Sequence, residues 1–407
     1  MKRRHVLVGL ASVGLAAAGI RHWPEDGFRN PCPDESLPDA LADHPLVQAA
    51  WDGLDPARFR DCHVHLIGNG DGATGAWINP EMRSLAHPIQ WLQRAFYING
   101  SCTAADGQLD RNYIGRLAWL HDQLPAGIKL MLLAFDYHYG EDGQRLTGVS
   151  AFHTPDAYAA SIVQRYPDRF EWIASVHPYR RDAVSALQAA VRLGARAVKW
   201  LPAAQGMDPA SPRCDPFYET AAALDIPLLV HAGTELAVHG GNTEDFGNPL
   251  RLRRALEHGV RIVVAHCATL GRCVDLDVGA QAPRLPAFEL FARMMDEARY
   301  DGLLYGDLSA VTQVNRVAQG LETLVTRDDW HPRLVNGSDY PLPGILPLFS
   351  LKQMVRRGYI TDTPAEVLSA IRRYNPLLFD FVLKRTLRVD GKAFGTAPFQ
   401  TRGFFER

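Results

Sequence analysis

Cysteine is scarce in this chain, and its few cysteines form no recognisable binding or crosslinking pattern. Six cysteines are scattered over 407 residues and none belongs to a CxxC pair, which argues against a disulfide scaffold and a structural zinc knuckle. An excess of charge of one sign is missing too, because 43 basic and 45 acidic residues leave a net charge of −2. Bulk charge therefore attracts neither nucleic acid nor an anionic membrane, and a small polar substrate suits the chain better.

The apolar stretch near the start of the chain is too short for a stable membrane anchor. It covers residues 6–20, fewer than the ~20 residues that a bilayer-spanning helix needs. The adjacent pair Arg3 and Arg4 precedes it, and Ala16-Ala17-Ala18 offers an A-x-A cleavage site. Residues 1–20 are therefore predicted to be a twin-arginine export signal, and we expect a periplasmic or otherwise exported protein.

The rest of the composition is that of an ordinary globular protein. Apolar residues make up 47% and charged residues 22% of the chain, which is ample material for a core. Residues 21–57 contain six prolines and are predicted to be an irregular linker and lead-in. One domain is expected at 58–385, followed by a C-terminal tail at 386–407.

Strand-like apolar runs alternate with helical patterns along this domain. Eight such runs predict an α/β fold, a (β/α)8 TIM barrel with a long insertion after strand 1 at 67–127. The runs cover residues 59–66, 128–135, 170–176, 195–201, 226–231, 260–266, 302–308 and 333–338. Helices are predicted at 154–166, 182–193, 215–224, 248–258 and 286–298.

The insertion begins with a glycine-rich run at 68–75 that superficially resembles a phosphate loop. It lacks the lysine of the GxxxxGK[ST] pattern, so nucleotide binding is not expected. We predict a flexible cover over the site, because long connections in compact domains are usually functional or disordered. Loops that follow barrel strands lie on the catalytic face, which makes Trp77, Arg83 and His87 candidate substrate contacts.

Two histidines in the first strand-like run carry the main functional signal. His63 and His65 are separated by Val64, and residues i and i+2 of a strand point to the same face. Two imidazoles that converge on one point suit a metal ion. The alternative is that the two histidines only make hydrogen bonds at a strand end.

Further metal-compatible residues stand at the ends of later strand-like runs. His231 closes the run at 226–231, His266 closes the run at 260–266, and Asp339 follows the run at 333–338. A parallel barrel would bring these ends together. Imidazole nitrogen prefers zinc, iron or manganese to calcium, so a borderline divalent metal is predicted.

Together these motifs resemble the amidohydrolase superfamily, and within it the amidohydrolase-related branch that includes decarboxylases as well as hydrolases. The resemblance covers roughly residues 58–385 and implies a bound divalent metal, Zn²⁺ first, with one ion or two. It also implies that Asp339 is both a ligand and the proton acceptor, and that His266 is a second metal ligand or a catalytic histidine. The motifs are His63-Val64-His65, Val198-Lys199-Trp200-Leu201-Pro202, His231, His266 and Gly337-Ser338-Asp339-Tyr340-Pro341. The implied metal ligands are His63, His65, His231, His266 and Asp339.

Lys199 bears on the number of metals. If Val198 and Trp200 face the outer helices, Lys199 faces the barrel interior, where an isolated charge must be paired, neutralised or modified. A Lys199 carboxylated by carbon dioxide would bridge two metals, as in some branches of the superfamily, whereas a cationic Lys199 would bind a substrate carboxylate. The strand-four motif favours the second interpretation and a single metal, with Lys199 counted among the catalytic residues beside Asp339 and His266.

Three functions follow from this site. The first is a hydrolase that cleaves an amide, ester or lactone with metal-activated water, Asp339 acting as general base and His266 binding a second metal or stabilising the oxyanion. The second is a metal-dependent decarboxylase of the same fold, and the third a non-catalytic binding protein.

The residues around the site and the chain end carry minor expectations. Asp307 and Ser309 are expected to orient the ligands, and alternation predicts that Cys62 and Cys267 point away from the metal as buried thiols. The aromatic residues of the C-terminal section, with Phe404 and Phe405, are expected to cover the barrel floor or a neighbouring subunit in a homo-oligomer.

Overall fold

The computed structural model of the chain describes residues 26–238, 241, 243–318 and 320–406. The predicted export signal at 1–20 lies outside the described residues, as do the first residues of the lead-in and His239. Within the described part of the chain, no helix is long and apolar enough to cross a bilayer.

All eight predicted strands are present, each within a few residues of its expected bounds. Two further pairs of short strands are antiparallel, β2 with β4 and β9 with β10. The strands are β1 (Arg60–His65), β2 (Trp77–Ile78), β3 (Lys129–Leu133), β4 (Phe152–His153), β5 (Phe170–Ile173), β6 (Val198–Trp200), β7 (Leu228–His231), β8 (Ile262–Ala265), β9 (Arg272–Val274), β10 (Arg284–Pro286), β11 (Leu304–Asp307) and β12 (Leu334–Val335).

The eight main strands run parallel and follow one another in chain order. They form a three-stranded sheet, β1-β3-β5, and a five-stranded sheet, β6-β7-β8-β11-β12. Parallel bridges join the two sheets at both edges, between Ala174 and Val198 and between Val64 and Tyr340. The α/β class is confirmed, and the two bridges connect the parallel sheets into a ring of eight strands.

Helices occupy the connections where helical spacing predicts them. The predicted helix at 248–258 begins as the 3-10 turn Pro249–Leu252 and continues as an α-helix from Arg253. The α-helices are α1 (Asp39–Ala42), α2 (Pro45–Ala50), α3 (Pro88–Gly100), α4 (Leu109–His121), α5 (Asp156–Arg165), α6 (Ala183–Arg192), α7 (Pro202–Gln205), α8 (Asp215–Ala223), α9 (Arg253–Glu257), α10 (Ala287–Met295), α11 (Leu321–Thr326), α12 (Leu351–Arg356), α13 (Asp362–Tyr374), α14 (Pro376–Thr386) and α15 (Arg402–Phe405).

The glycine-rich run of the insertion wraps around a carboxylate of the chain itself. The backbone N–H groups of Asn69 and Gly70 donate to Asp110 in the first turn of α4, at 2.6 and 3.3 Å, and the Thr74 hydroxyl donates to the same carboxylate. Amide groups of a turn form an anion-binding concavity. Here the bound anion is the Asp110 carboxylate, so the glycine-rich run holds the start of the insertion against α4.

The structure contains one disulfide that the sequence did not predict. It joins Cys32 in the lead-in to Cys102 at the end of α3, across 70 residues of chain. The lead-in also contains α1 and α2, so part of it is regular where the sequence predicted irregular structure. The four other cysteines are free and buried, as predicted for Cys62 and Cys267.

The core has two layers because alternate strand residues face opposite sides. An outer layer packs strands against helices, with the Trp200 ring centroid 5.0 Å from that of Phe217 of α8. An inner cluster fills the ring of strands, and its members are Cys62, Met131, Leu133, Ile173, Ala197, Leu229, Val263, Ala265, Val335 and Phe405. The prediction that Cys62 points away from the metal into the strand wall is wrong, because its side chain lies in the inner cluster. A bulge between Asp61 and Val64 breaks the alternation of β1 and turns Cys62 inward.

The C-terminal tail closes the amino-terminal end of the ring. Phe405 is 2% exposed and packs inside the inner cluster, with Phe404 half-buried beside it. Arg261, just before β8, donates to the Phe404 carbonyl at 2.7 Å, which places the tail at that end. The tail aromatics therefore cover the barrel floor of their own chain, one of the two positions expected for them.

Candidate metal centre

The predicted site residues come together at the carboxyl ends of the parallel strands. His63 and His65 lie on β1, Lys199 on β6 and His231 at the end of β7. His266 directly follows β8, and Asp339 lies four residues beyond β12. The ligand atoms of His63, His65 and Asp339 all lie within 4.8 Å of one another, as do those of His63, His266 and Asp307.

His63 is held in one orientation by a buried carboxylate. Its Nδ1 lies 2.5 Å from Asp307 Oδ2 and 3.0 Å from Ser309 Oγ. A ring nitrogen that donates to a carboxylate leaves the other nitrogen unprotonated and aimed at the metal. His63 Nε2 is 3.5 Å from Asp339 Oδ1 and 3.1 Å from the Lys199 amine. Asp307 and Ser309 thus contact the histidines as the orienting role expected for them requires.

Asp339 bridges the two histidines of β1. Its Oδ1 lies 2.9 Å from His65 Nε2 and 3.5 Å from His63 Nε2. Its other oxygen, Oδ2, lies 3.9 Å from Nδ1 of His266. The His65 side chain is 28% exposed, whereas that of Asp339 is 4% exposed. His65 therefore marks the solvent side of the centre, and Asp339 is enclosed by imidazoles.

His266 faces the centre because the backbone after β8 turns through an unusual conformation. Val263 and Ala265 face inward, so alternation alone would turn His266 outward. His266, Cys267 and Ala268 instead have positive φ angles of 55°, 48° and 51°. The left-handed conformation costs roughly 1–2 kcal/mol per non-glycine residue, and such strain concentrates at functional sites.

The hydrogen bonds of His266 define its chemistry. Its Nδ1 lies 3.1 Å from the Ser309 carbonyl oxygen and 2.7 Å from Ser309 Oγ. Since a carbonyl only accepts, Nδ1 carries the proton, and Nε2 of the neutral ring is a lone-pair site. That tautomer suits metal ligation better than donation of a hydrogen bond to an oxyanion.

His231 provides the test of whether the site fits a metal. Its Nδ1 lies 3.3 Å from Glu235 Oε2, and its ring centroid is 5.1 Å from that of His266. Its Nε2 is buried and has no hydrogen-bond partner among the described residues. Buried polar atoms are rarely unpaired, and a carboxylate on the opposite ring nitrogen is typical of metal-binding histidines. The donor set therefore fits a divalent cation, although His231 stands apart from the two compact groups.

Burial sets the charge states in the centre. It lowers the pKa of His231 to about 3 and the pKa values of His63 and His266 well below the usual range. Burial therefore favours the neutral form of these three rings, which is the form that binds a metal. Burial alone would raise the pKa of Asp339, but His63 and His65 outweigh it and hold that pKa below its usual value. Asp339 is accordingly an anion.

Lys199 lies inside the ring, as the alternation of β6 predicts. It is 2% exposed, and burial lowers the pKa of its amine even though Asp307 and Asp339 act in the opposite direction. The amine lies beside His63 Nε2, so it belongs to the same centre as the metal-compatible residues.

Gly337 is required by the close approach of β12 to β1. A Cβ atom at this position would lie 2.6 Å from the His63 Cβ and 2.7 Å from Asp307 Oδ1. Any side chain would displace the histidine or the carboxylate that orients it.

Two residues near the centre were not predicted. Arg316, in the segment after β11, is 6% exposed, and Tyr97 of α3 lies near enough to Glu235 and Asp339 for their charges to raise its pKa further after burial. The only sequence signal for either residue is that it belongs to a connection that follows a strand on the catalytic face. The three candidate loop residues contact other residues of the chain, and their contact with substrate stays a prediction. Trp77 packs on Tyr137, Arg83 donates to Asn69, and His87 lies 3.6 Å from Glu81.

A ring of parallel strands with metal-compatible histidines and carboxylates at its carboxyl ends defines the class as an α/β protein with a candidate metal site. Residues 61–377 match the sequence model of the Amidohydrolase family, and the chain belongs to this family. The search of curated proteins finds no match.

Several solved structures resemble the chain. An uncharacterised TIM-barrel protein from Bordetella bronchiseptica is 15% identical, with coverage of 70% of this chain and 86% of its own and a TM-score of 0.45. A protein from Pseudomonas putida described as a 2-pyrone-4,6-dicarboxylic acid hydrolase is 17% identical over 70% and 82%, with a TM-score of 0.43. The 5-carboxyvanillate decarboxylase of Sphingomonas paucimobilis is 14% identical over 78% and 99%, with a TM-score of 0.44.

Proposed function

We propose that this protein is an exported, zinc-dependent hydrolase that cleaves an amide, ester or lactone bond of a small polar substrate. The observation that carries the proposal is the position of Asp339, a buried anion 2.9 Å from His65 and 3.5 Å from His63. A carboxylate among metal-compatible imidazoles is placed to take a proton from a water molecule that attacks there.

The residues divide the work of such a reaction. His63, His65, His231 and Asp339 would hold the metal, with His266 adjoining it through Nε2. When bound, a divalent metal polarises the substrate and lowers the pKa of bound water from 15.7 to ~7. Asp339 accepts the proton of the attacking water as the new carbon–oxygen bond forms. It then passes the proton to the leaving nitrogen or oxygen as the scissile bond breaks.

Lys199 supports a second candidate function, decarboxylation. Its buried amine, 3.1 Å from His63 Nε2, could hold a substrate carboxylate or a developing oxyanion beside the metal. In that reaction the carbon–carbon bond to the carboxylate breaks, carbon dioxide leaves and a proton takes its place. Family membership supports both reactions equally.

Isotope labelling separates the two reactions. The zinc-loaded protein is incubated in ¹⁸O-water with panels of aryl esters, lactones, anilides and aromatic carboxylates. A hydrolase incorporates the label into its product, whereas a decarboxylase releases carbon dioxide without incorporation. Release of carbon dioxide alone would contradict the hydrolase proposal, and activity that survives zinc removal by a chelator would contradict the metal role.

Export rests on the predicted signal at 1–20, and the Cys32–Cys102 disulfide supports it. Disulfides persist in oxidising compartments and are rare in the cytosol. Changing Arg3 and Arg4 to lysines is expected to block export without affecting the folded domain, because a receptor reads the pair. Cell fractionation measures this, and normal periplasmic recovery would contradict it. A homo-oligomer remains a prediction that light scattering of the purified protein would test.

A further inference from the structure

Arg316 is a buried cation whose guanidinium has donors left without a hydrogen bond in the part of the chain that the structure describes. The side chain is 6% exposed, and its Nε and Nη1 atoms are buried with no hydrogen-bond partner among the described residues. A buried charged donor without a hydrogen bond raises the free energy of the fold, because the group loses its hydrogen bonds to water and forms none in the protein. The amide Nε2 of Gln313, three residues earlier, is a second buried donor without a partner.

The segment that carries Arg316 is fixed to the metal centre. It follows Asp307 and Ser309, which contact His63 and His266. Charge interactions link the guanidinium to Glu235, Asp339 and Asp307, and its positive charge acts on the three buried imidazoles of the centre. Arg316 therefore lies close enough to the metal centre for its charge to act on the centre's carboxylates and imidazoles.

We propose that Arg316, assisted by Gln313, forms a subsite that binds an oxyanion of the substrate next to the metal centre. A planar guanidinium with free donors matches a carboxylate or phosphate through two parallel hydrogen bonds. The proposal rests on the proposed function, since the anion belongs to the molecule that is processed at Asp339. The subsite fixes orientation by holding the anionic end while the reacting bond faces Asp339.

The test is a binding measurement that requires no turnover. Zinc-loaded protein is titrated by calorimetry with benzoate, with benzamide as the uncharged match, and with inorganic phosphate. Wild type is compared with Arg316→Met and with Arg316→Lys. The lysine variant keeps the positive charge but loses the planar guanidinium that donates two parallel hydrogen bonds. The control is Arg145→Met, because Arg145 is an exposed arginine on another loop of the same face and stacks on Tyr137.

We expect wild type to bind at least one of the two anions and to bind benzamide more weakly than benzoate. Arg316→Met should weaken anion binding by about 30-fold or more, the effect of removing one member of a buried charge pair. The anion affinity of Arg316→Lys should lie between those of wild type and Arg316→Met. The anion affinity of Arg145→Met should equal that of wild type. Zinc content should be equal in all four proteins. Preference for benzoate identifies a carboxylate, and preference for phosphate identifies a phosphate group.

Equal anion affinities of wild type and Arg316→Met would overturn the proposal, as would absence of saturable binding of both anions by wild type. If Arg316→Met does not fold, an Arg316→Lys protein that binds as tightly as wild type overturns it in the same way. The outcomes are separable from the proposed reaction. Arg316-dependent binding without any hydrolysis keeps the subsite and removes the hydrolase, whereas hydrolysis with an unchanged KM in Arg316→Met does the reverse.

Discussion

The two ends of the strand ring are built from the same inward-facing positions and serve opposite purposes. At the floor, these positions hold apolar side chains that pack around Phe405. At the carboxyl ends, the positions of the same strands hold His63, Lys199 and His231. Regular alternation is enough for the floor. The upper end adds a left-handed turn at His266 and a positive φ of 60° at Asp339, so it spends conformational energy on orienting a few polar groups.

The largest effect is expected from removing both histidines of β1. The double variant His63→Ala, His65→Ala should lose essentially all bound metal, because the remaining ligands form an incomplete site. Metal analysis of the purified protein measures this, and His87→Ala, at a half-buried histidine beside Glu81, serves as control. Equal metal content in wild type and double variant would refute the ligand assignment.

Asp339→Asn should reduce kcat by about 10²–10⁴-fold, the usual worth of general acid–base catalysis. An amide has nearly the shape of a carboxylate but cannot take the proton of water, so the melting temperature should change little. Kinetics on an identified substrate and metal analysis are required together. A variant that holds its metal and turns over at the wild-type rate would rule out Asp339 as the general base.

The floor should respond in the opposite way. Phe405→Ala removes a buried ring and should lower the free energy of unfolding by about 3 kcal/mol. Metal affinity should be unchanged, because the cluster lies at the other end of the ring. Urea unfolding with metal analysis tests both, and a Phe405→Leu variant should recover part of the stability. Loss of metal without loss of stability would break the proposed division between the two ends.

Lys199→Ala tests the number of metals. If Lys199 binds substrate as a cation, the variant should keep its metal and raise KM by about 10-fold, as expected for one hydrogen bond to a charged group. Loss of a second metal equivalent would instead support a carboxylated bridging lysine. Metal stoichiometry and steady-state kinetics distinguish the two.

The effect of a structural histidine near the upper end is confined to acid pH. Fully buried His177 has Nε2 3.0 Å from the Gln205 carbonyl and accepts from the Tyr179 N–H at 3.1 Å. Burial lowers its pKa from 6.5 to about 3, so it stabilises the fold above pH 6.5 and that contribution is lost as pH falls toward 3. His177→Gln should make the acid decline shallower by up to about 1.4 kcal/mol per pH unit. Urea unfolding measured across this pH range checks it, and an unchanged slope would contradict the assignment.

The strands could be predicted because their apolar runs are local and their order follows the chain. The convergence of His63 and His65 was readable for the same reason. Cys62 and His266 show the limit, since a bulge and a left-handed turn change which face a residue occupies. Arg316 shows a second limit. Whether its guanidinium finds a hydrogen-bond partner depends on groups distant in sequence, and no such partner is present for Nε and Nη1 among the described residues. The Cys32–Cys102 pair carried no spacing signal at all.

That disulfide decides where a recombinant form of the protein should begin. The boundaries of the family match would suggest starting near residue 61, which removes Cys32 and leaves Cys102 as an unpaired thiol. It would also remove Asn30, which exchanges hydrogen bonds with Asn99 of α3, and Trp51, which packs on Phe381 of α14. Production should therefore start ahead of Cys32 and take place where thiols can oxidise.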